Sequence, residues 1–478
     1  MHALVADSKN SPLAAVVVAL GFSAFVTQVV LMRELVAVLA GNELIYGIVL
    51  GAWLLLTGLG AWLGRTAGHV RRGLDVLLAA QFLVAVLPVA GVFLLRTLRN
   101  VVFVRGAAVG VTETVVVCLA ILAPYCLLIG YLLALASAVV PAQKDARGIG
   151  EVYFLDSLGG VAAGAVFSFV LVLWLDHFQI LYVAAALNLA CVVPAAWRSH
   201  RKVLAAAGVL SGAVLVAVAG LCDLDDISAK RLYGPQPIVF QGNSPYGSLV
   251  VTETAGQYNF LENGVAWFST HNLEAVEETV HYAMAQRPGA RRVLLISGGV
   301  SGTARELLKY PAQVDYVELD PLVVRAAREF LPGTLDDPRI EVIPTDGRLW
   351  LRRTDRRYDV ILIDMPDPST SQINRFYTGE FFAEAKRRLT GGGVLAFGLG
   401  RYENRIGGDL ARAVAVAHKT LAEQFAQVLV IPTARLRFLA SDGPLTADIA
   451  GRLEAHKIPV RLLTRRYLQV VLAPDRMD

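Results

Sequence analysis

The C-terminal half of the sequence contains a glycine-rich turn followed by an acidic residue at the end of the next predicted strand. The turn, residues 297–302 with the sequence SGGVSG, ends one strand and begins a helix. Its amides, at Gly298, Gly299 and Gly302, could therefore face a ligand at the carboxyl edge of a sheet. Glu318 ends the next strand, where a carboxylate can accept hydrogen bonds from both hydroxyls of a ribose.

Two further strand ends carry acids that would complete such a site. Asp346, followed by Gly347, ends a third strand at a position where its carboxylate could hold an adenine amino group. Asp364 and Asp367 follow the fourth strand and are expected at the mouth of the same cleft. A carboxylate there can orient a cationic amine and accept its proton while the amine attacks a sulfonium carbon. The pattern predicts a nucleoside site with a proton acceptor. Its alternative is a set of ordinary strand-end acids, with Asp364 only capping a turn.

An amine-binding site is expected beside these carboxylates. Glu278 lies on a predicted helix over residues 273–286 and could help Asp364 to orient the amine. Tyr246 and Tyr377 could line the channel of the acceptor, and either tyrosine could equally belong to the core.

These residues depend on an alternation of strands and helices that runs from residue 291 onward. This alternation is typical of a doubly wound α/β domain of the Rossmann-like type. Before it, short β-like segments over residues 236–270 predict a small antiparallel sheet. The second half is therefore read as two parts, a small β-rich part over residues 223–272 and the α/β domain over residues 273–478.

The first half of the chain is of a different kind. Residues 1–222 contain 13 Lys/Arg and 9 Asp/Glu, whereas residues 223–478 contain 31 of each. Seven apolar runs of about 20 residues predict a transmembrane helical bundle over residues 1–222. They lie near residues 13–39, 43–63, 74–95, 111–140, 149–175, 178–197 and 203–222.

The orientation of this bundle is predicted inconsistently by two arguments. Nine Lys/Arg flank the helices on the side of the N-terminus and three lie in the opposite loops. By the positive-inside rule, seven spans would then place the soluble half outside the cell. A nucleoside substrate is available in the cytoplasm, so the soluble domain is expected there.

Composition also excludes some functions. The net charge of +4 belongs entirely to the apolar half, where cations flank helices, so no nucleic-acid partner is expected. The four cysteines lie in apolar segments without metal-ligand spacing, so no metal site is expected.

The sequence resembles the polyamine aminopropyltransferases, or spermidine synthases, in the bacterial type fused to an N-terminal membrane bundle. The resemblance covers nearly the whole chain. It rests on YGSLVV, VLLISGG, YVELDP, YDVILIDMPDP and NRFYTGEFF, and in the first half on FVTQVVLMREL and GEVYFLDSLGGVAAGA.

This resemblance implies an inner-membrane transferase of polyamine biosynthesis. Its aminopropyl donor would be decarboxylated S-adenosylmethionine, and its acceptor would be putrescine or a similar amine, with no metal required. Glu318 would bind the ribose, Asp346 the adenine, and Asp367 would be the catalytic acid/base. Soluble members of the family commonly form dimers or tetramers, so a homodimer is one expected assembly.

The sequence departs from the family at the glycine-rich turn. Where the family has GGGDGG, this chain has Val300 in place of the carboxylate that holds the ammonium of the donor. Loss of that ion-pair partner would weaken binding of the ammonium by about 1–3 kcal/mol, roughly 10- to 100-fold. It would also remove a repulsion of the carboxylate of intact S-adenosylmethionine.

Three hypotheses follow. The first is an aminopropyltransferase with an altered amine acceptor. The second is a methyl or aminocarboxypropyl transferase that uses intact S-adenosylmethionine. The third is a membrane carrier or sensor whose soluble half binds a nucleoside or a polyamine without turnover.

Overall fold

The computed structural model describes residues 11–39, 43–105, 109–140, 146–401 and 407–473. By its internal contacts the chain divides into two units. One comprises residues 1–250 with 262–265, and the other comprises residues 251–261 with 266–478.

Long apolar helices make up most of the first unit. Among the described residues, seven helices are long and apolar enough to cross a membrane, judged by length and composition. The seven apolar segments are thus confirmed as helices, the fifth of them continuing from α5 through a π-helical turn into α6. The helices are α1 (Ser11–Val38), α2 (Glu43–Leu63), α3 (Gly73–Val102), α4 (Val111–Val139), α5 (Ala146–Val166), α6 (Val172–Trp174), α7 (His177–Arg198), α8 (Lys202–Leu221) and α9 (Leu224–Tyr233).

Local sequence explains where one of these helices begins and how two of them pack. Asp176 caps α7, because its carboxylate accepts from the Gln179 amide at 2.8 Å while the Gln179 side chain accepts from the Asp176 amide. Gly21 of α1 and Gly159 of α5 allow these helices to approach closely. A Cβ at either glycine would lie 2.0 Å from a backbone oxygen of the other helix.

A buried cluster of charged side chains joins four helices of the first unit. Arg96 of α3 donates two hydrogen bonds to Glu34 of α1, at 2.5 and 2.7 Å. His177 of α7 also contacts the Glu34 carboxylate, and Asp225 of α9 accepts from Arg96 at 2.7 Å. Glu34 is 2% exposed and Arg96 is 5% exposed, so these charges are satisfied by one another rather than by water.

The segment predicted to be β-rich begins with a helix instead of a strand. Asp223 caps α9 by accepting from the Asp226 amide at 2.9 Å, which explains why the chain turns into a helix at this point. A four-stranded sheet in the order β1-β2-β3-β4 follows. Its strands are β1 (Ile238–Asn243), β2 (Ser248–Thr254), β3 (Gln257–Glu262) and β4 (Val265–Ser269).

The second unit is built on a seven-stranded mixed sheet in the order β10-β11-β9-β8-β5-β6-β7. Strands β9, β8, β5, β6 and β7 are parallel, as the alternating sequence predicts. The hairpin β10–β11 pairs antiparallel to β9 and makes the sheet mixed. The strands are β5 (Arg292–Ile296), β6 (Gln313–Glu318), β7 (Ile340–Pro344), β8 (Tyr358–Ile363), β9 (Leu389–Arg401), β10 (Gln427–Pro432) and β11 (Arg435–Ser441).

Helices connect these strands and cover an aromatic core. Phe397 of β9 stacks on Phe382 and on Phe438, with ring centroids 5.7 and 5.0 Å apart. The helices are α10 (Leu273–Met284), α11 (Thr303–Leu307), α12 (Pro321–Phe330), α13 (Gly347–Arg353), α14 (Ser371–Asn374), α15 (Gly379–Arg388), α16 (Gly408–Ala422), α17 (Ile449–Ala455) and α18 (Arg465–Val471).

The strand order determines where a ligand can bind. β5 pairs with β6 on one side and with β8 on the other, so the direction of the connections reverses at β5. In open α/β sheets, ligands bind outside the carboxyl ends of the strands at such a switch point. The residues after β5, β6 and β8 are the ones that a ligand at this switch point would meet.

Candidate functional site

The glycine-rich turn after β5 has the backbone geometry of a ligand-binding loop. Ser297 and Gly298 have positive φ angles of 61° and 68°, a conformation that is strained for serine and favourable for glycine. A Cβ at Gly298 would lie 2.4 Å from Oδ2 of Asp364, so only glycine allows the turn to pass this close to the end of β8. Asp364 is held there by Thr303, whose hydroxyl donates to Oδ2 at 2.7 Å.

The helix after this turn is shorter than the sequence pattern indicates. α11 has only five residues and follows a 3-10 turn over Gly299–Ser301. A ligand bound at this turn would therefore interact with the turn amides more than with a helix dipole. Val300 is fully buried, so this side chain packs into the domain.

Glu318 is located next to the turn, as predicted, and is 5% exposed. Its Oε2 accepts from the Tyr316 hydroxyl at 2.8 Å and from the Ser297 hydroxyl at 3.3 Å. Its Oε1 accepts from the Leu319 amide at 2.9 Å. These donors fix the carboxylate at the carboxyl end of β6, and a ribose hydroxyl would replace the longer bond from Ser297.

Asp346 has structural partners in addition to the predicted ligand role. Its Oδ1 accepts from the Leu349 amide at 2.9 Å and so caps α13, while Oδ2 pairs with Arg375. Gly347 packs against Ile296 of β5, where a Cβ would lie 2.7 Å from Cγ2 of that isoleucine. The pair thus keeps the end of β7 close to the turn after β5.

Asp367 is half exposed and is paired with a cation that the sequence analysis did not predict. Its Oδ1 accepts from the Gly400 amide at 2.8 Å and from Arg435 Nη2 at 2.5 Å. In the part of the chain that the structure describes, Oδ2 accepts no hydrogen bond. With respect to the described residues, this oxygen of Asp367 is therefore available to accept a proton.

Tyr377 lies beside the two aspartates. Its hydroxyl donates to the Pro366 carbonyl at 3.3 Å, and its ring packs edge-on against Phe397. Burial raises the pKa of Tyr377. Arg435 opposes this rise, and Asp367 and Asp364 add to it. Tyr246 belongs to the first unit and is 49% exposed, and its role at the acceptor site stays a prediction.

Glu278 on α10 is almost fully buried and is contacted by two residues from distant parts of the chain. The Tyr467 hydroxyl lies 2.9 Å from Oε1 and also 2.8 Å from the Glu274 carboxylate. Arg437 Nη2 lies 3.9 Å from Oε2. Burial raises the pKa of Glu278, and the charge of Arg437 offsets only part of this rise.

The neighbouring Glu277 has a structural role. Its carboxylate accepts from the amides of residues 461–463 at 2.7 to 3.0 Å. The nearby His281 bonds to the Tyr310 hydroxyl and to Glu306, at 2.7 and 2.8 Å. The three side chains Glu277, His281 and Glu306 are close enough to hold a metal ion, but protein donors already engage each of them.

Three residues at the site were missed by the sequence analysis: Arg435, Arg437 and Tyr467. The two arginines alternate with Leu436 and Phe438 in β11, so they share one face of the strand. Two cations at this spacing inside an apolar strand were a usable signal of buried charge. Tyr467 gave no such signal, because it lies in an amphipathic C-terminal segment.

The structure thus brings most of the predicted residues to one edge of the sheet. Gly298 contacts Asp364, and Glu318 contacts Ser297 in the same turn. Asp367, Tyr377 and Glu278 lie near β11 and its arginines. This edge offers hydrogen-bond acceptors for a nucleoside and a free carboxylate oxygen for a proton.

Comparison with known proteins identifies the same region. Residues 274–434 match the family model described as the spermine/spermidine synthase domain. The polyamine aminopropyltransferase of Corynebacterium efficiens is 32% identical over 255 residues, which cover 50% of this chain and 49% of that protein. A crystal structure of spermidine synthase with the transition-state analogue AdoDATO has 23% identity and a TM-score of 0.44, covering 49% of this chain and 85% of that one.

A further relative matches a larger part of the chain. Polyamine aminopropyltransferase 2 of Ralstonia nicotianae is 27% identical over 395 residues, which cover 76% of this chain and 73% of that protein. This share is larger than the C-terminal half, so the match includes part of the helical half. The chain spans about half the length of the first relative named. Residues 274–434 are thus similar to the spermine/spermidine synthase domain, and the similarity to one polyamine aminopropyltransferase extends beyond this domain.

Proposed function

We propose that the chain transfers an aminopropyl group from decarboxylated S-adenosylmethionine to an amine acceptor. The observation that carries this proposal is the convergence of the turn, Glu318, Asp364 and Asp367 at the switch point of the sheet. All of these residues lie inside the matched domain. The donor is the one used by the family that the sequence resembles, and putrescine is the first acceptor to test.

Each side chain has a role set by its position. Glu318 accepts hydrogen bonds from the ribose, and Asp346 faces the adenine from the capped end of α13. The glycine-rich turn allows the donor to lie against the end of β8, beside Asp364. Asp364 and Glu278 orient the amine.

The reaction is a direct displacement. The acceptor nitrogen forms a bond to the propyl carbon, the bond from that carbon to the sulfonium sulfur breaks, and the bonding electrons leave with sulfur as a neutral thioether. The amine loses a proton, which Oδ2 of Asp367 accepts. Because the sulfonium is already an activated leaving group, the protein contributes mainly positioning and a proton acceptor.

Replacement of Asp367 by Asn tests this mechanism. The amide keeps the size of the side chain but cannot accept the proton, so we expect product formation to fall by roughly 10²- to 10⁴-fold. Purified full-length protein would be incubated with decarboxylated S-adenosylmethionine and putrescine. The nucleoside thioether and the new polyamine would be measured by mass spectrometry.

Asp442→Asn is the matched control. Asp442 is 47% exposed and ion-paired with Lys386, much as Asp367 is 46% exposed and ion-paired with Arg435. Activity should be retained in this variant. Equal activity of Asp367→Asn and the wild type would contradict the assigned role of Asp367.

Transfer from intact S-adenosylmethionine is a second candidate function. Val300 favours it, because no carboxylate at this position of the turn would repel the amino-acid carboxylate of the intact molecule. The same assay run with intact S-adenosylmethionine distinguishes the two donors. Product from the intact donor alone would favour a methyl or aminocarboxypropyl transfer.

The same proposal includes insertion of the helical half in a lipid bilayer and the side of the membrane on which the catalytic domain lies. The seven apolar helices span the inner membrane, and the catalytic domain lies in the cytoplasm, where the donor is available. The support for the spans is the length and composition of the helices. Assembly as a homodimer is part of the proposal by analogy with soluble family members.

A further inference from the structure

Two arginine side chains converge over a glycine at the edge of the candidate site. Arg435 and Arg437 lie on the same face of β11, and Gly398 of β9 pairs with Arg437. A Cβ at position 398 would lie 2.9 Å from Nη1 of Arg437 and 3.4 Å from Nε of Arg435. Both guanidinium groups therefore occupy the space that a side chain on β9 would fill.

Arg437 is buried, and the described residues offer its guanidinium few hydrogen-bond partners. It is 6% exposed, and in the described part of the chain its Nε has no hydrogen-bond partner. Nη2 donates one long bond of 3.4 Å to the Ala275 carbonyl. A guanidinium has five donors, and among the described residues the hydrogen bond to Ala275 is the one that Arg437 donates.

The nearest acid does not compensate for this charge. Oε2 of Glu278 is 3.9 Å from Arg437 Nη2, beyond hydrogen-bond distance, and Oε1 is engaged by Tyr467. Burial raises the pKa of Glu278, which weakens it further as a counter-ion. Arg435 forms an ion pair with Asp367. Its own Nε has no hydrogen-bond partner among the described residues.

A cavity of about 590 Å³ lies on the side of Glu278 that Tyr467 contacts. Its wall includes Glu274, Thr433, Arg466 and Tyr467, and the Tyr467 hydroxyl contacts Glu278. The cavity is large enough for an amino-acid-sized molecule. Both arginines also lie beyond residue 434, where the match to the family domain ends.

We infer that Arg437, assisted by Arg435, binds a carboxylate group of a co-substrate. This inference rests on the proposed function and adds to it the class of substrate. A carboxylate matches the planar fork of a guanidinium and would supply an acceptor for Nε. A simple diamine would instead bring its second ammonium group toward two arginines, which would repel it. The carboxylate belongs either to an amino-acid acceptor or to intact S-adenosylmethionine.

Two pairs of compounds test this inference, because the members of each pair differ by one carboxylate. Ornithine differs from putrescine by one additional carboxylate. S-adenosylmethionine differs from decarboxylated S-adenosylmethionine in the same way. Binding of all four to the full-length protein would be measured by calorimetry, and the nucleoside product of each donor and acceptor combination by mass spectrometry. In one pair at least, we expect the carboxylate-bearing member to bind 10-fold or more tightly.

Arg437→Gln identifies the residue responsible. We expect this variant to lose the preference by roughly 10- to 100-fold, with little change for the partner that lacks the carboxylate. Arg437→Lys should keep part of the preference, which separates lost charge from lost folding. Arg412→Gln is the control and should behave as the wild type, because Arg412 is an exposed side chain that is ion-paired with Asp409.

The outcomes separate this inference from the proposed function. Preference for the decarboxylated member in both pairs, or an unchanged preference in Arg437→Gln, would overturn the carboxylate site. Carboxylate preference without product from any combination would overturn the transfer reaction and leave the site standing. A preference in the ornithine and putrescine pair would assign the carboxylate to the acceptor. A preference in the S-adenosylmethionine pair would assign it to the donor.

Discussion

Glu278 and Arg437 are opposite charges buried close together without a hydrogen bond between them. The Glu278 carboxylate is 1% exposed, and burial raises its pKa above the usual 4.5 more than Arg437 lowers it. Protonation of Glu278 is thus more favourable in the folded state than in the unfolded chain. The contribution of Glu278 to stability is complete below the pKa of the unfolded chain and is lost as the pH rises through the higher pKa of the folded chain.

We therefore expect Glu278→Gln to change the pH dependence of stability. Relative to this variant, the wild type should become progressively less stable as the pH rises above about 4.5, because only the wild type must ionise a buried carboxyl. Pulse proteolysis of the full-length protein in urea, followed through a C-terminal tag, would measure the stability of the second unit at each pH.

Glu384 provides a control, because its pKa is shifted in the opposite direction from that of Glu278. Burial alone would raise its pKa, but hydrogen bonds from Arg352 and Arg348 outweigh this effect and lower the pKa. Its contribution to stability is present above the unfolded pKa and is lost as the pH falls through the folded pKa. Glu384→Gln should thus lower the stability of the protein near pH 7 and have little effect on stability in acid. Parallel pH curves for the two variants would contradict both assignments.

The site could be predicted from the sequence where its residues follow directly on parallel strands. The glycines, Glu318 and Asp364 all follow β5, β6 or β8, and the carboxyl ends of parallel strands meet at one edge. The place of Arg437 at the site could not be predicted by the same reasoning. Its position depends on an antiparallel pairing of β11 with β9, and no local pattern determines which strand a hairpin joins.

At the scale of elements, the cluster of Glu34, Arg96 and His177 is where four helices of the first unit meet. Its members come from α1, α3 and α7, and Asp225 of α9 completes it. Apolar runs predict each helix but give no register between helices. The cluster supplies this register, because removal of one member leaves another charge buried without its partner.

Arg96→Met should therefore destabilise the first unit strongly, by about 3–5 kcal/mol. The methionine keeps the volume of the side chain and removes the charge that compensates Glu34. Melting temperature in detergent micelles would measure the effect. Lys230→Met is the control on α9, since Lys230 is 64% exposed and pairs with Asp226 of the same helix. A melting temperature for Arg96→Met that equals that of Lys230→Met would show that the cluster does not hold these helices together.

The elements themselves were largely predictable, with two instructive exceptions. α9 was read as part of a β-rich segment, although Asp223 and the following acids form a clear helix start. The hairpin β10–β11 was not assigned from the strand and helix alternation. Its addition at the edge beside β9 is what makes the parallel sheet a mixed one.

At the scale of the whole molecule, two physical arguments about orientation conflict. If the seven helices that are long and apolar enough to cross a membrane all span it, the ends of the chain lie on opposite sides. The nine cations flanking the helices on the N-terminal side, against three in the opposite loops, favour a cytoplasmic N-terminus and an external C-terminus. The proposed donor, in contrast, requires the C-terminal domain to be cytoplasmic.

Availability of the donor is an absolute requirement of the proposed reaction, whereas the charge rule is a statistical bias. We therefore expect the C-terminus to be cytoplasmic. Fusions of the full chain to green fluorescent protein and to alkaline phosphatase would test this, because the first is fluorescent only inside the cell and the second is active only outside. Fusions after residue 105, in the loop between α3 and α4, calibrate each reporter on the same side of the membrane as the C-terminus. Active phosphatase at both positions would place the domain outside and remove the supply of its proposed donor.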